Sequence, residues 1–427
     1  MVSNQAETKN EHDNKKHLLI SKSGPLYGEC EISASKNAVL PILAACLLTR
    51  ETVTIRKAPR ISDVYDMVAM LKAFGAHVAE EDDTLKVTAK TIITTAPDEA
   101  IASRLRASFL FMGPLLAREG CVTMPLPGGC KIGTRPIDLH IKGFKALGAN
   151  AITVSGKVHT WSKTLEGATI VLDYPSVGAT ENIITAACLA RGVTTLIGAA
   201  CEPEVRDLIC FLQKMGANIR VSEGRVIIKG AGALHGAEHT PIPDRIEAGT
   251  LMLAAAVTGG DVLLKGAQAS HLAPVSAKLI EAGAEIFPYE EGIQVRGYGA
   301  RPMEIVSAPY PGFPTDMQAP FMAACCAANG VSTINETVFD NRFLHVPELK
   351  KMGADITVSG TTAVIRGTGR LRGAEVNATD LRAGAALCIA GIVAREETIV
   401  RSIYHIDRGY EDFDGKLKKL GVNIQRI

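Results

Sequence analysis

A cysteine, a lysine, an aspartate and a set of arginines stand where packing explains them poorly. Cys130 lies in "PLPGGCKIGTRP", residues 125–136, where Pro127, Gly128 and Gly129 leave little side-chain surface to bury a thiol. Lys131 and Arg135 stand close by. Neighbouring cations stabilise a thiolate, giving a reactive sulfur able to exchange a proton. Lys36 in "SASKNA", Arg106 in "RLRAS", Arg245 in "PDRIEAGT" and Arg382 in "TDLRAG" fall just before, or in the first turn of, small-residue helical stretches. Cations there oppose the helix macrodipole, and departures of this kind are expected where function is carried. Free N–H groups at a helix start, joined by a Lys or Arg, form an anion site. Taken singly, each position reads equally well as a solvated cap. Ser176 and Gly178 in "PSVGAT" and Asp316 in "PTDMQA" complete six equivalent positions, which weight the reading toward a shared polyanion site. Asp316 is the acid among the bases. It reads either as an N-cap or as a carboxylate, kept ionised by cations, that accepts a proton from a substrate hydroxyl. Arg135, Arg342 in "VFDNRFLHVPEL" and Arg408 in "YHIDRGYED" add permanent charges suited to phosphate or carboxylate.

The elements that must hold these residues repeat. A helical run ending in Gly and passing into a strand-like segment occurs about every 70 residues. The instances are "LKAFGAHV", "FKALGANAITV", "LQKMGANIRV", "LIEAGAEIF", "LKKMGADITV" and "LKKLGVNIQRI", with Gly75, Gly148, Gly216, Gly283, Gly353 and Gly421 as C-terminal caps. Each is preceded by a helix that is apolar nearly all round, hence buried, and then by a β-branched run. One unit therefore reads helix–strand–helix–strand–strand, and about three units would make a domain. "GAGALHG" and "GTGRLRG" look like loose dinucleotide fingerprints, but "LHGAE", "LRGAE" and "LEGAT" recur after the capping Gly and open strands. A nucleotide fingerprint must open a helix. His235 and His239 likewise lack the helical context that a zinc motif needs, so no metal is expected.

Composition removes several function classes. The chain has 427 residues, 47% hydrophobic and 21% charged, with a net charge of +1, so no global field draws it to nucleic acid or membrane. The apolar run at 38–48 contains Pro41 and is too short to span a bilayer. The first 17 residues are a polar tail without an apolar signal segment. The 10 cysteines show no C-x-x-C spacing and suit a reduced, cytoplasmic thiol set.

"SKNAVLPIL", "RAS", "PLPGGCKIGTRPIDLH", "SVGATEN", "PDRIEAGT", "FPTDMQA", "ETVFDNRFLHVPEL", "ATDLRAGAAL" and "YHIDRGYED" together resemble the MurA-type enolpyruvyl transferases, the UDP-N-acetylglucosamine 1-carboxyvinyltransferase family. The likeness runs from about residue 18 to the C-terminus. It implies an α/β fold of two pseudo-threefold domains, of the inside-out α/β barrel type, built from six βαβαββ-like repeats. Residues 36–243 would form the domain of the cysteine loop; 18–35 with 244–427 would form the other. The reaction implied moves enolpyruvyl from phosphoenolpyruvate to the 3-hydroxyl of UDP-N-acetylglucosamine by addition and elimination, with no metal or organic cofactor. Cys130 matches the family's acid, which is also alkylated by fosfomycin, and Asp316 the carboxylate that handles the sugar hydroxyl. Lys36 and Arg408 complete the catalytic set. Lys36, Asn37, Arg135 and Arg408 match the surroundings of the phosphoenolpyruvate phosphate, Arg342 and Arg382 those of its carboxylate. Arg106, the run Arg135, Pro136, Ile137, Asp138 and Leu139, then Ser176, Val177, Asp316 and Val338 match positions that hold the UDP-sugar. Ser35 beside Lys36, and Tyr174 in "DYPSVG", depart from residues common in the family. The nearest rival is a 5-enolpyruvylshikimate-3-phosphate synthase, from which the cysteine loop differs; a non-catalytic paralogue would be expected to shed these charges.

Overall fold

A computed structural model of the chain describes residues 17–126, 137–222 and 224–427. The six units expected from the sequence are all present. Each opens on a small-residue helix: Lys36–Ala45, Met112–Glu119, Val177–Ala187, Arg245–Thr258, Gln318–Ala327 and Leu381–Val393. Those six helices form the interior, because Ala, Gly and Cys let apolar surface face inward on every side. In Leu381–Val393, for example, Arg382 through Ile392 are buried without interruption. Ala386 is wholly buried, and in a close-packed interior added volume must displace its neighbours. Ala386→Leu should therefore lower the stability by about 1–3 kcal/mol, read as a fall in urea midpoint.

A four-stranded sheet follows the same plan in five units. In the fifth unit, Glu304–Val306 lies parallel to Asn329–Asn335, which pairs antiparallel with Thr362–Thr368; Asp355–Ser359 then pairs with the far edge of that strand. Among the described residues the second unit has three strands, Cys121–Pro125, Lys157–Trp161 and Asn150–Val154. The sixth unit closes on the strand Ile424–Arg426. Its central strand is His17–Ile20, with Leu18 opposite both Val400 and Arg426. His17, within the stretch that the sequence alone assigns to the polar tail, thus belongs to a strand.

The recurring "LHG" and "LRG" stretches have a structural explanation. After the capping glycine the chain runs through a hairpin and returns over the same helix end. The N–H groups of Ile93, Glu166, His235 and Arg372 donate to the carbonyls of Phe74, Leu147, Met215 and Met352, at 2.9–3.0 Å. Gly216 has φ +95° and Gly353 φ +85°, and a Cβ at either would press on His235 or Arg372. These two side chains therefore cover helix C-termini, where basic groups are favoured. They close a packing motif and open no nucleotide site.

The described residues divide into two compact units. One holds the chain before Ala34 and Pro243–Ile427; the other holds the described part of Ala34–Ile242. Each has its own apolar core.

Candidate active site

In the C-terminal unit, Asp316 sits in a 3-10 turn, Thr315–Met317, that leads into Gln318–Ala327. The N-cap of that turn is Pro314, and no side chain caps it, so the N-cap reading of Asp316 is set aside. Both carboxylate oxygens meet guanidinium groups instead. Arg342 Nη2 donates to Oδ1 at 2.8 Å; Arg382 Nη2 and Nε donate to Oδ2 at 2.9 and 3.2 Å. Both arginines are almost wholly buried, at 4% and 3% exposure. Burial opposes ionisation of Asp316, but the charges of Arg382 and Arg342 outweigh it and hold the carboxyl far below the usual carboxylate range. Each arginine also keeps one buried nitrogen, Nη1, without a hydrogen-bond partner among the described residues. Buried N–H groups of this kind call for an explanation, and an oxyanion supplies one.

The arginines are held by other elements of the same unit. Tyr410 is buried, its hydroxyl bonds Thr250 Oγ1 at 3.0 Å, and the Arg382 guanidinium lies 5.2 Å from its ring centre. The N-caps also answer the dipole question raised by the cations. Asp380 accepts from the N–H groups of Arg382 and Ala383, and Asp244 from those of Ile246 and Glu247. A carboxylate thus satisfies these two helix starts, and Arg382 directs its charge to Asp316. Arg408 is half-buried at the end of Tyr404–Asp407. His405 is depressed below its ordinary range by burial and then by the Arg408 charge, which places that guanidinium near His405.

In the other unit, Lys36 opens its helix with Asn37 next to it, and Lys36 Nζ pairs with Asp63 Oδ2 at 2.6 Å. Asp63 is 1% exposed. Ser35, the family departure, is the N-cap of this helix yet makes no capping bond through its side chain. Side chains from two other elements meet at His140. Phe109, from the turn Arg106–Phe111, meets the His140 ring edge-on at 5.1 Å. His140 belongs to Asp138–Ala146, with Ile137 before it and Leu139 between, and its Nδ1 pairs with Asn182 Nδ2 at 2.9 Å. Asn182 belongs to Val177–Ala187, whose N-cap Ser176 accepts from Ala179 N–H. Burial and then the Arg106 charge push His140 down to about 3, so it is a neutral strut at physiological pH. Tyr174 is 42% exposed.

The structure therefore gathers Arg106, Ile137, Asp138, Leu139, Ser176 and Val177 on adjoining helix starts of one unit, which also carries Lys36 and Asn37. It gathers Asp316, Arg342, Arg382 and Val338 in the other, which also carries Arg408. Cys130, Arg135 and Pro136 lie outside the described residues. Sequence reasoning missed Asp63, Tyr410 and Glu336. Asp63 looks like any acid in a first turn, and Tyr410 like any core aromatic; only "PIDLH" drew attention to the stretch containing His140. Among the described residues no cluster of His, Cys, Asp or Glu is arranged to hold a metal, and no helix is long and apolar enough to cross a membrane. His239 instead bonds Asp207 Oδ1 at 2.9 Å.

Six units in two cores, with arginine-bound carboxylate and lysine at helix starts, define an enolpyruvyl-transferase type of protein. Comparison with solved structures agrees. An enolpyruvyl transferase, NikO of Streptomyces tendae, superposes with a TM-score of 0.86 at 26% identity, over 96% of this chain and 98% of that one. EPSP synthase of Acinetobacter baumannii shares the fold at a TM-score of 0.75 and 17% identity, over 96% and 99%. The model of the EPSP synthase (3-phosphoshikimate 1-carboxyvinyltransferase) family matches residues 20–417, and the chain belongs to that family. Its curated relatives include UDP-N-acetylglucosamine 1-carboxyvinyltransferase 2 of Carboxydothermus hydrogenoformans, 51% identical over 96% of this chain and 99% of that protein. The corresponding enzyme 1 of Caldanaerobacter subterraneus is 50% identical over 96% and 100%.

Proposed function

We propose that this chain transfers the enolpyruvyl group of phosphoenolpyruvate to the 3-hydroxyl of UDP-N-acetylglucosamine and releases phosphate. The observation that carries the reading is the near-full-length identity, about one residue in two, to relatives that bear this activity in their names. The likeness to EPSP synthase structures, at 17% identity, speaks for the fold alone. The reaction would serve cytoplasmic peptidoglycan synthesis.

The chemistry asks for an acid and a base. In the addition step the sugar oxygen bonds to C2 of phosphoenolpyruvate while the methylene carbon gains a proton and becomes a methyl group. In the elimination step that methyl loses a proton, the C2–O bond to phosphate breaks and the double bond returns. Cys130 is the residue suited to give and regain the carbon-bound proton, and Asp316 the one suited to take the hydroxyl proton. Arg342 and Arg382, each with a buried N–H to spare, are suited to the donor carboxylate. With both guanidinium groups on it, Asp316 is a weak base. A carboxylate that drew those donors away would restore its basicity, so donor binding would prepare the acceptor's base. Lys36, Asn37, Arg135 and Arg408 would hold the donor phosphate; Arg106, Arg135 to Leu139, Ser176, Val177 and Val338 would hold the UDP-sugar.

Phosphate release should be measured with UDP-N-acetylglucosamine and with shikimate 3-phosphate as separate acceptors. Release with the UDP-sugar alone is expected, and preincubation with fosfomycin should abolish it. Release with shikimate 3-phosphate would reassign the acceptor, and unchanged turnover after fosfomycin would remove the reactive cysteine from the scheme.

A further inference from the structure

We infer that Glu336 is a positioning residue that aligns the sugar hydroxyl with its base, an inference that rests on the acceptor reading above. Glu336 is 1% exposed and stands just past the strand Asn329–Asn335. Its Oε1 accepts the N–H groups of Val338 and Phe339, at 2.8 and 3.2 Å, which folds the chain over the carboxylate. Its Oε2 accepts the hydroxyl of Thr315 at 2.8 Å, the residue next to Asp316. Beyond Phe339 the Arg342 guanidinium lies 5.4 Å from the Phe339 ring centre, and Arg342 returns to Asp316 at 2.8 Å. The contacts close a ring: Glu336, Val338 and Phe339, Arg342, Asp316, Thr315, and back to Glu336. One buried carboxylate thus sets the distance between Val338, an acceptor contact, and Asp316, the acceptor's base. Ser307 supports the same turn, taking the Thr337 N–H at 3.0 Å on its hydroxyl.

Charge-assisted bonds from a carboxylate are stronger and shorter than neutral ones. Reacting groups displaced by about 1 Å can lose about 100-fold in rate. Glu336 binds Thr315 and Val338 directly and reaches the donor-side Arg342 only through Phe339, so loosening it should be felt at the acceptor before the donor. Thr315→Val removes a single donor to Oε2 and keeps the side-chain shape; Thr315→Ser keeps the hydroxyl; Glu336→Gln keeps the volume but loses the charge.

The test is steady-state phosphate release with each substrate varied in turn, alongside the urea midpoint of each variant. Thr315→Val and Glu336→Gln should raise KM for UDP-N-acetylglucosamine or lower kcat about tenfold, with KM for phosphoenolpyruvate within about twofold of wild type. Thr315→Ser should restore wild-type values. Equal changes in both KM values, or a lowered midpoint with unchanged kinetics, would overturn the positioning role and leave the acceptor reading standing. Absence of wild-type release with the UDP-sugar would overturn the acceptor reading, and this inference with it.

Discussion

Asp316→Asn should lower kcat for phosphate release by about 10²–10⁴, the range associated with losing a positioned acid or base. The substitution keeps the shape of the side chain and removes its charge. On the proposed function, KM for phosphoenolpyruvate should not rise, because the donor carboxylate would meet Arg342 and Arg382 without a competitor. Two arginines at 4% and 3% exposure would then lack their anion. Breaking a wholly buried pair costs about 3–5 kcal/mol, but the Asp316 side chain keeps 26% exposure, so water softens the loss and about 2 kcal/mol is expected. The dependence on pH follows from the lowered pKa of the folded carboxyl. Its stabilising effect is complete above the ordinary carboxylate range, about 3.9 for Asp, and fades as pH falls through the lower folded value. The stability gap between wild type and the variant should therefore narrow in strong acid. Urea denaturation at neutral and acid pH, with kinetics in the donor and acceptor dimensions, checks all four statements. A kcat within about threefold of wild type would remove Asp316 from proton transfer.

Cys130→Ala should cause a loss of similar size, about 10²–10⁴ in phosphate release. The variant should also gain no mass on incubation with fosfomycin, whereas wild type should gain one adduct that maps to Cys130. The remaining thiols give that map its contrast. Cys188 and Cys325 are pushed up by burial to about 12 and 11, Cys46, Cys326 and Cys388 higher still, and Cys30 is raised by burial too, so they remain protonated thiols at neutral pH. Cys121 and Cys210 are exposed, and Cys201 partly so; these are the positions from which the mapped peptide must be distinguished. An adduct on one of them, with Cys130→Ala still active, would move the acid elsewhere.

How much of this protein could be read before folding depends on the range of the interactions concerned. The period of about 70 residues, the buried helices and the cations at their starts are all legible in the chain alone. They rest on local rules: a left-handed glycine ends a helix, β-branched runs favour strands, and small residues allow burial on all sides. The motifs around Lys36, Cys130, Asp316 and Arg408 are contiguous, so the family was legible as well. What each charge meets is settled only by folding. Asp316 is bound by an arginine 26 residues away and by another 66 away, and Glu336 reaches back 21 residues to Thr315. Lys36 is answered by Asp63 from the next helix. The sixth sheet takes its central strand from His17–Ile20, at the opposite end of the chain. No local pattern encodes such pairings. The state of a buried charge is set by the groups that folding brings within a few ångströms of it, where burial penalises the bare ion and neighbouring guanidinium groups can reverse the outcome.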